Sequence, residues 1–226
     1  MQRKGQLRAR LAKVKGAAPV DLQPLMLGAA RDSYLYVPTG YRAERPAPLV
    51  LLLHGAGGHA RQGLDLLRSL ADAAGLLLLA PGSRDQTWDL LVGRGYGHDA
   101  TLIDRALEHT FSRYAVDPAH LAIGGFSDGT SYALSLGITN GDLFTHVIAF
   151  SPGFVAPARH TGSPRIFVSH GTRDGVLPID RCSRRIVPEL ERGGYDVLYR
   201  EFDGGHTILP EIASEAVGWF TRRRLS

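Results

Sequence analysis

Apolar residues recur in two spacings from residue 47 to the end of the chain, and the two spacings alternate. Short apolar-rich runs typical of buried strands occupy 47–53, 76–80, 121–126, 146–150, 165–169 and 196–202. Apolar residues three and four positions apart predict helices over 64–71, 102–111, 131–136, 179–192 and 213–220. This alternation predicts an α/β fold in which a mostly parallel sheet carries helices on both faces.

The chain before residue 47 has a different character. Residues 31–38 alternate polar and apolar side chains, as an edge strand does. Residues 1–20 hold six basic residues and no acid. The positive charge of this segment alone therefore exceeds the net charge of +4 of the whole chain. The basicity therefore belongs to a short segment, which argues against a nucleic-acid-binding body. We predict a basic, solvated N-terminal arm over 1–21 and a single α/β domain over 22–226.

The composition is that of an ordinary globular domain, with 226 residues of which 44% are hydrophobic and 21% charged. No apolar run reaches the roughly eighteen residues of a membrane span, and the N-terminus lacks the apolar region of an export signal. These features predict a cytoplasmic protein without integral membrane association. The single cysteine, Cys182, can form no internal disulfide, and no spacing of histidines and acids predicts a metal site.

One predicted strand ends in Gly125-Phe126-Ser127-Asp128-Gly129, and helix-forming residues follow it. A Gly-x-Ser-x-Gly sequence between a strand and a helix presents its serine at the apex of a sharp turn. A Cβ atom at either flanking glycine would push the strand and the helix apart. The first N–H groups of the helix would favour negative charge near the hydroxyl. The motif predicts that Ser127 is a nucleophile.

A serine hydroxyl needs a base to take its proton and a carboxylate to orient that base. Asp174 follows the strand before the last one, and His206 follows the last strand in a Gly-rich loop. The chain order Ser127, Asp174, His206 is the order found in α/β-hydrolases. We predict that these three residues form a catalytic triad. Of the alternative acids, Asp128 belongs to the serine turn, Asp180 falls in a helix start, and Asp203 is too close in sequence to His206 to reach its far ring nitrogen easily.

Attack on a carbonyl carbon creates an oxyanion that backbone N–H groups can stabilise. The predicted donors of this oxyanion hole are the N–H groups of Asp128 and of Ala56, the latter in the Gly-rich loop after strand 47–53. The Asp128 carboxylate is expected to be an exposed acid at a helix start. His54 is expected to brace the loop by a hydrogen bond. The other histidines not expected to act in catalysis include His59, His98 and His170.

Four motifs together resemble a known family: His54-Gly-Ala-Gly-Gly58, Gly124-Gly-Phe-Ser-Asp-Gly129, Ser169-His-Gly-Thr-Arg-Asp174 and Gly204-Gly-His-Thr207. They are similar to those of small bacterial esterases in the phospholipase/carboxylesterase branch of the α/β-hydrolases. This branch is continuous with members that resemble polyhydroxybutyrate depolymerases and acyl thioesterases. The resemblance covers about residues 22–222 and implies the α/β-hydrolase fold and carboxylic-ester hydrolysis by the triad without a cofactor. Acyl-protein thioesterases usually carry Gln where Asp128 stands, which argues against that narrower activity.

The residues that would contact a substrate are less strongly marked. The irregular, aromatic-containing loop over 83–99 is long enough to predict a functional wall, and Trp88 and Tyr96 are its candidate contacts. Phe154, Leu177 and Ile208 are candidate contacts on the acyl side. For all five, packing in the core or in a loop is an equally compatible alternative. Only residues 151–164 separate two predicted strands at the place where larger hydrolases insert a lid, so we expect an open cleft and no lid domain.

Two alternatives to an esterase stay open at this point. The same triad could cleave a thioester or a lysophospholipid, because one acyl-transfer apparatus serves several acyl bonds. The loop from Gly55 to Ala60 also fits the fingerprint of an NAD-binding oxidoreductase. That fingerprint requires an acidic residue after the next strand, where this chain has Pro81-Gly82. We therefore predict a serine carboxylic-ester hydrolase for small-molecule or lipid-like esters, and the sequence carries no signal for an oligomeric state.

Overall fold

A computed structural model describes residues 5–12, 14, 18–28, 31–93 and 95–222. The strands described are β1 Asp21–Leu25, β2 Ser33–Val37, β3 Ala47–Leu53, β4 Leu77–Ala80, β5 Val116–Phe126, β6 His146–Phe150, β7 Arg165–Gly171 and β8 Val197–Phe202. The helices described are α1 Ala60–Asp65, α2 Arg68–Ala74, α3 His98–Phe111, α4 Asp128–Thr139, α5 Ser183–Arg192 and α6 Pro210–Thr221.

The described strands form one sheet in the order β1-β2-β4-β3-β5-β6-β7-β8. The pairs β1/β2 and β2/β4 are antiparallel, and all other neighbouring pairs are parallel. The predicted mostly parallel sheet is therefore confirmed. The prediction of an edge strand over 31–38 is wrong, because β2 is paired with β1 on one side and with β4 on the other. The sequence did not predict β1, because its residues are mostly exposed and include Pro24.

Strand β3 shows why the apolar runs become central strands. Leu49, Leu51 and Leu53 contribute to the core on the face covered by α3, α4 and α5. Val50 and Leu52 contribute to the core on the opposite face, which α1, α2 and α6 cover. Because both faces are buried, every position of the run must be apolar. The parallel strands β3 to β8 thus direct their carboxyl ends to the same edge of the sheet.

Two predicted helices are interrupted in the structure. The helix predicted over 64–71 is divided into α1 and α2, and the Leu67 N–H donates to the Leu64 carbonyl oxygen at the junction. This tighter turn lets both Leu64 and Leu67 be buried. The helix predicted over 179–192 begins as a 3-10 turn at Ile179–Arg181 and continues as α5.

Residues 151–164, between β6 and β7, form an extended segment that lies along α4. Hydroxyl groups at Ser131, Ser135 and Thr139 accept hydrogen bonds from the N–H groups of this segment, at 2.9 to 3.1 Å. Each hydroxyl also donates to the carbonyl oxygen four residues earlier in the chain. The segment therefore satisfies its polar backbone against one helix face, and no lid domain is inserted there.

The described part of the N-terminal segment is attached to the domain. The Leu7 N–H donates to Asn140 Oδ1 at 2.8 Å, and the Leu7 side chain is buried. The N–H groups of Arg8 and Ala9 donate to Asp104 Oδ1. Arg10 forms an ion pair with Asp142. We expected a solvated arm, but apolar residues among the basic ones allow this segment to dock. Four of its basic residues lie outside the described residues: Arg3, Lys4, Lys13 and Lys15. The division into 1–21 and 22–226 stays a prediction.

Candidate active site

The turn between β5 and α4 holds Ser127 in an uncommon backbone conformation. Its φ and ψ angles are 57° and −121°, a region in which non-glycine residues are rare and strained. The turn is fixed from behind by the Ser127 N–H, which donates to the Phe150 carbonyl oxygen at 3.1 Å. The Thr130 hydroxyl adds a hydrogen bond to the Gly125 carbonyl oxygen. The strand, turn and helix predicted around Ser127 are present.

The two glycines of the motif are needed because the backbones approach closely. A Cβ atom built on Gly125 would lie 2.6 Å from the Leu53 carbonyl oxygen and 2.8 Å from the Gly129 carbonyl carbon. A Cβ atom on Gly129 would overlap the carbonyl oxygens of Leu53 and His54. Both contacts involve backbone atoms of the end of β3. The steric reason for the motif is therefore confirmed, and it ties the serine turn to the loop after β3.

Asp174 and His206 are joined at the same edge of the sheet. Asp174 Oδ2 accepts a hydrogen bond from His206 Nδ1 at 2.7 Å. Asp174 Oδ1 accepts from the N–H groups of Val176 and Leu177, at 2.9 and 2.8 Å. Burial alone would raise the pKa of Asp174, but the His206 hydrogen bond and the two amides outweigh it, so the pKa lies below its ordinary value. An ionised Asp174 keeps the proton of His206 on Nδ1 and leaves Nε2 free to accept one.

His206 also lies beside the serine turn. Its ring centroid is 4.6 Å from that of Phe126, the residue before Ser127. No hydrogen bond joins the Ser127 hydroxyl to His206 among the described residues. Hydrogen bonds between a nucleophile and its base are often long before the substrate binds. The structure thus brings the three predicted residues to one place, with one of the two hydrogen bonds of a triad formed.

The loop after β3 lies against Ser127. A Cβ atom built on Gly55 would be 3.5 Å from Ser127 Cβ. The N–H groups of Ala56 and Asp128 have no acceptor among the described residues, and Ala56 is exposed. Two unused amides at a turn and a helix start form a favourable place for negative charge.

His54 braces this loop by hydrogen bonds, as predicted. Its Nδ1 is 2.8 Å from the Gly55 carbonyl oxygen, and its Nε2 accepts from the Ser83 N–H at 3.1 Å. Nδ1 therefore carries the proton. Burial lowers the pKa of His54, which keeps the ring neutral in this role.

Trp88 does not line a cleft. Its side chain has no exposed surface, and its Nε1–H donates to the His54 carbonyl oxygen at 2.9 Å. Its ring packs between those of His54 and Tyr132, with centroids 4.9 and 5.3 Å away. Trp88 therefore packs beneath the loop, which corrects our prediction of a substrate contact.

Tyr96 also faces away from Ser127. Its hydroxyl donates to the Ala156 carbonyl oxygen at 3.2 Å, and the Ala156 N–H is bonded to Ser135. Ser135 follows Ser127 by eight residues in the helix, which corresponds to about 12 Å along its axis. Tyr96 instead borders a cavity of about 750 Å³ between α3 and the N-terminal segment, and neither Ser127 nor His206 lines that cavity. It is not placed for contact with a substrate at Ser127.

The other three predicted contacts divide into two groups. Phe154 and Leu177 are partly buried. Leu177 lies close to Gly153, the neighbour of Phe154 in the chain, since a Cβ atom built on Gly153 would be 3.4 Å from Leu177 and 3.4 Å from the Ser131 hydroxyl. Ile208 lies elsewhere, in a groove of about 360 Å³ that also has His206 and Phe126 in its lining. Phe154 and Leu177 do not line this groove, and all three substrate contacts stay predictions.

The structure corrects one further expectation, for the side chain of Asp128. Its Oδ2 accepts a hydrogen bond from the Thr87 hydroxyl at 2.6 Å, and the residue is partly buried. The carboxylate thus ties the serine turn to the loop before α3 instead of standing free at a helix start. Nothing in the spacing of the sequence indicates this pairing, because Thr87 lies in an irregular segment.

A strained serine after the fifth strand, and an Asp–His pair after the seventh and eighth strands of this sheet, define an α/β-hydrolase. A family model described as phospholipase/carboxylesterase matches residues 92–212, which is more than half of the chain. The chain belongs to the phospholipase/carboxylesterase family and is a carboxylesterase-type hydrolase. The NAD-binding alternative is thereby set aside.

Individual proteins show the same relationship. A probable feruloyl esterase C of Aspergillus flavus is 27% identical over 213 residues, which cover 80% of this chain and 77% of that protein. An acyl-protein thioesterase 1 of Gibberella zeae is 29% identical over 119 residues, 48% of this chain and 49% of that protein. The crystal structure of esterase PE8 has a TM-score of 0.67 at 24% identity, covering 88% of this chain and 98% of that one. That structure supports the fold alone.

The helices in the described part of the chain are too short or too polar to cross a bilayer. The cytoplasmic location stays a prediction.

Proposed function

We propose that the protein hydrolyses carboxylic esters through an acyl-enzyme on Ser127. His206 Nε2 takes the proton of the hydroxyl as it attacks the carbonyl carbon, and then gives it to the leaving alcohol. Asp174 holds the ring in the required tautomer and stabilises the imidazolium. The observation that carries the proposal is the 2.7 Å Asp174–His206 hydrogen bond beside a serine held at φ 57°.

The tetrahedral intermediate would direct its oxyanion to the N–H groups of Ala56 and Asp128. Both amides lack other acceptors among the described residues, so neither must break a hydrogen bond when charge develops. Loss of one such donor typically costs about 10²- to 10³-fold in kcat. Water then attacks the acyl-enzyme with His206 again as the base, and this step returns Ser127 to its free form.

The proposal is tested with p-nitrophenyl esters of increasing acyl length and with methyl ferulate, the latter because one relative is named a feruloyl esterase. Ser127→Ala, Asp174→Asn and His206→Gln should each lower kcat by about 10⁴-fold or more while the protein stays folded. A fluorophosphonate should label the wild-type chain once, at Ser127, as mass spectrometry of peptides would show. Labelling elsewhere, or an active Ser127→Ala variant, would contradict the assignment.

Thioester or lysophospholipid hydrolysis by the same residues is the second candidate. It is supported by similarity to an acyl-protein thioesterase over about half of the chain. Oxygen and sulfur esters of one acyl group distinguish the two activities, because the acyl-enzyme and its hydrolysis are then identical. A kcat/KM that is higher for the thioester, after correction for the uncatalysed rates, would favour the second candidate.

A further inference from the structure

A groove beside His206 has no role in the mechanism described so far. Its volume is about 360 Å³, within the range of small-molecule sites. Leu66, Phe126 and Ile208 supply apolar surface, and Asp65 supplies the charged group of the lining. Residues of the α1–α2 junction, the end of β5 and the β8–α6 loop thus meet there.

The direction of proton transfer determines which part of a substrate lies in this groove. His206 must deliver its proton to the oxygen of the leaving alcohol, so that oxygen lies next to the imidazole. The carbonyl oxygen points instead to the Ala56 and Asp128 amides, which do not line the groove. Phe154 and Leu177 do not line it either. The groove therefore continues from the position of the alcohol and not from that of the acyl chain.

We propose that this groove binds the alcohol part of the ester, and that the alcohol is uncharged and bears an apolar branched or aromatic group. This inference rests on the proposed function. The apolar lining favours a group that loses water contact on binding. The exposed Asp65 carboxylate disfavours an anionic alcohol by repulsion that salt would screen.

The test compares two acetates with the same acyl group and similar primary-alkoxide leaving groups, ethyl acetate and 2-phenylethyl acetate. For the wild type, kcat/KM should be about tenfold or more higher for the phenylethyl ester, since its ring would be buried. Leu66→Trp fills the groove and should lower this ratio by about tenfold. Leu70→Trp is the matched control, because Leu70 is also partly buried against the same core but does not line the groove.

Equal kcat/KM values for the two acetates, or the same ratio in Leu66→Trp as in the wild type, would overturn the proposal. Hydrolysis of ethyl acetate would still support the proposed function in that case. Absence of hydrolysis for both acetates and all p-nitrophenyl esters would instead contradict the proposed function itself. If Leu66→Trp does not fold, Ile208→Phe provides the milder obstruction and the same ratio is measured.

A different observation concerns a second histidine on the triad acid. His170 is completely buried, and its Nε2 lies 2.7 Å from the Leu177 carbonyl oxygen and 3.2 Å from Asp174 Oδ2. Two acceptors face this nitrogen, so it must carry a proton. Nδ1 is 2.7 Å from the hydroxyl of Ser183, which can donate to it. The ring is thus a neutral connector between α5 and the Asp174 loop.

We infer that His170 is a positioning residue that fixes the Asp174 carboxylate for His206. Asp174 Oδ1 is held by the amides of Val176 and Leu177, and Oδ2 accepts from His206 and lies 3.2 Å from His170 Nε2. The same His170 nitrogen is bonded to the Leu177 carbonyl oxygen, so it also fixes one of the residues that hold Oδ1. Without the second imidazole, Oδ2 loses this close contact and Leu177 loses its hydrogen bond to His170, so the carboxylate is less restrained from rotation. A misplaced carboxylate would change the orientation of His206 and the rate of proton transfer.

His170→Leu removes the donor, and His170→Gln retains an N–H group near the position of Nε2. His170→Leu should lower kcat by about 10- to 100-fold with little change in KM, and His170→Gln should recover most of the loss. The far-downfield proton resonance of the Asp174–His206 hydrogen bond should shift in the Leu variant and return in the Gln variant. His160→Leu is the matched control, because His160 is exposed and bonded to Tyr195.

An unchanged kcat and resonance in His170→Leu, or a Gln variant no better than the Leu variant, would overturn this assignment. If His170→Leu does not fold, Ser183→Ala frees the ring from its hydroxyl partner. The same changes, smaller in size, are then expected, and their absence would equally overturn it.

Discussion

The serine turn over 126–129 and the aromatic loop over 83–97 lie at the same edge of the sheet. Their most prominent side chains nevertheless point in opposite directions, one toward the site and the other into the core. The turn holds the small polar Ser127 on a strained backbone at the surface of the site. The loop turns the large Trp88 inward until no surface is exposed. The strained backbone of the serine turn lowers the stability of the fold but presents a hydroxyl group. The buried ring of Trp88 in the loop raises the stability because it completes the core. Position at the edge of the sheet is therefore not enough to identify a site residue; backbone strain distinguishes the two.

The largest effect is expected from Gly129→Ala. The new Cβ atom would overlap the carbonyl oxygens of Leu53 and His54, and neither can move without displacing the Ala56 loop. We expect a loss of more than about 3 kcal/mol in the free energy of unfolding, and loss of esterase activity. Chemical denaturation and ester hydrolysis measure the two effects.

Gly218→Ala in α6 is the control, since nothing lies within 4 Å of its Cβ position. It should stabilise the protein by about 0.5 to 1 kcal/mol. If the Gly129→Ala variant is active and as stable as the Gly218→Ala variant, the steric explanation of the turn is wrong.

Trp88→Ala should have the next largest effect, on stability rather than on substrate binding. Removing a buried aromatic ring and its hydrogen bond to His54 should cost about 3 to 5 kcal/mol. The KM for short p-nitrophenyl esters should change little at a temperature where the variant is folded. A raised KM with unchanged stability would show that the ring contacts the substrate after all, and Trp88→Phe serves as the conservative control.

A smaller effect should come from His54, which connects the two regions. Burial lowers its pKa below the ordinary value of 6.5, so in mildly acidic solution the unfolded chain binds a proton that the folded chain does not. The folded state therefore has its full stability above the ordinary pKa of His54. Part of that stability is lost as the pH falls through the lower pKa that His54 has in the folded chain.

Thermal unfolding measured from about pH 7 to about pH 5 should show a falling melting temperature, with a weaker dependence in His54→Gln. Burial also lowers the pKa of His170, so part of the dependence should persist in that variant. An identical pH dependence in His54→Gln and the wild type would show that His54 is protonated alike in both states.

The smallest effect is expected from Thr87→Val, which removes the hydrogen bond between the two regions. The 2.6 Å contact with Asp128 is partly buried and charge-assisted, and its loss should cost about 1 kcal/mol. A double-mutant cycle with Asp128→Ala isolates this coupling from the helix-start effect of the acid. Additive effects in the cycle would mean that the two regions are energetically independent.

The sequence predicted those features that have a steric or periodic cause. Glycines at 125 and 129 are required by backbone contacts, so their spacing around Ser127 indicates the turn in the sequence itself. The aliphatic run of β3 marked a strand buried on both faces. Trp88 and Tyr96 were misjudged because an aromatic residue in a loop has the same sequence signal whether it points inward or outward.

Other features depend on contacts between distant segments and leave no local signal. The Thr87–Asp128 pair and the docking of Leu7 on Asn140 are separated by 41 and 133 residues. The groove beside His206 likewise combines Leu66 with Ile208, which are far apart in the sequence. Such pairings become visible only when the strands have been placed in order.

The attachment of residues 5–10 has a consequence for the order in which the chain matures. Asp104, Asn140 and Asp142, to which these residues bind, are synthesised about a hundred or more residues after them. During translation the segment must wait, with Leu7 uncovered, until α3 and α4 have assembled. Residues 5–10 thus reach their native position only after residues more than ninety positions further along the chain have been synthesised and folded.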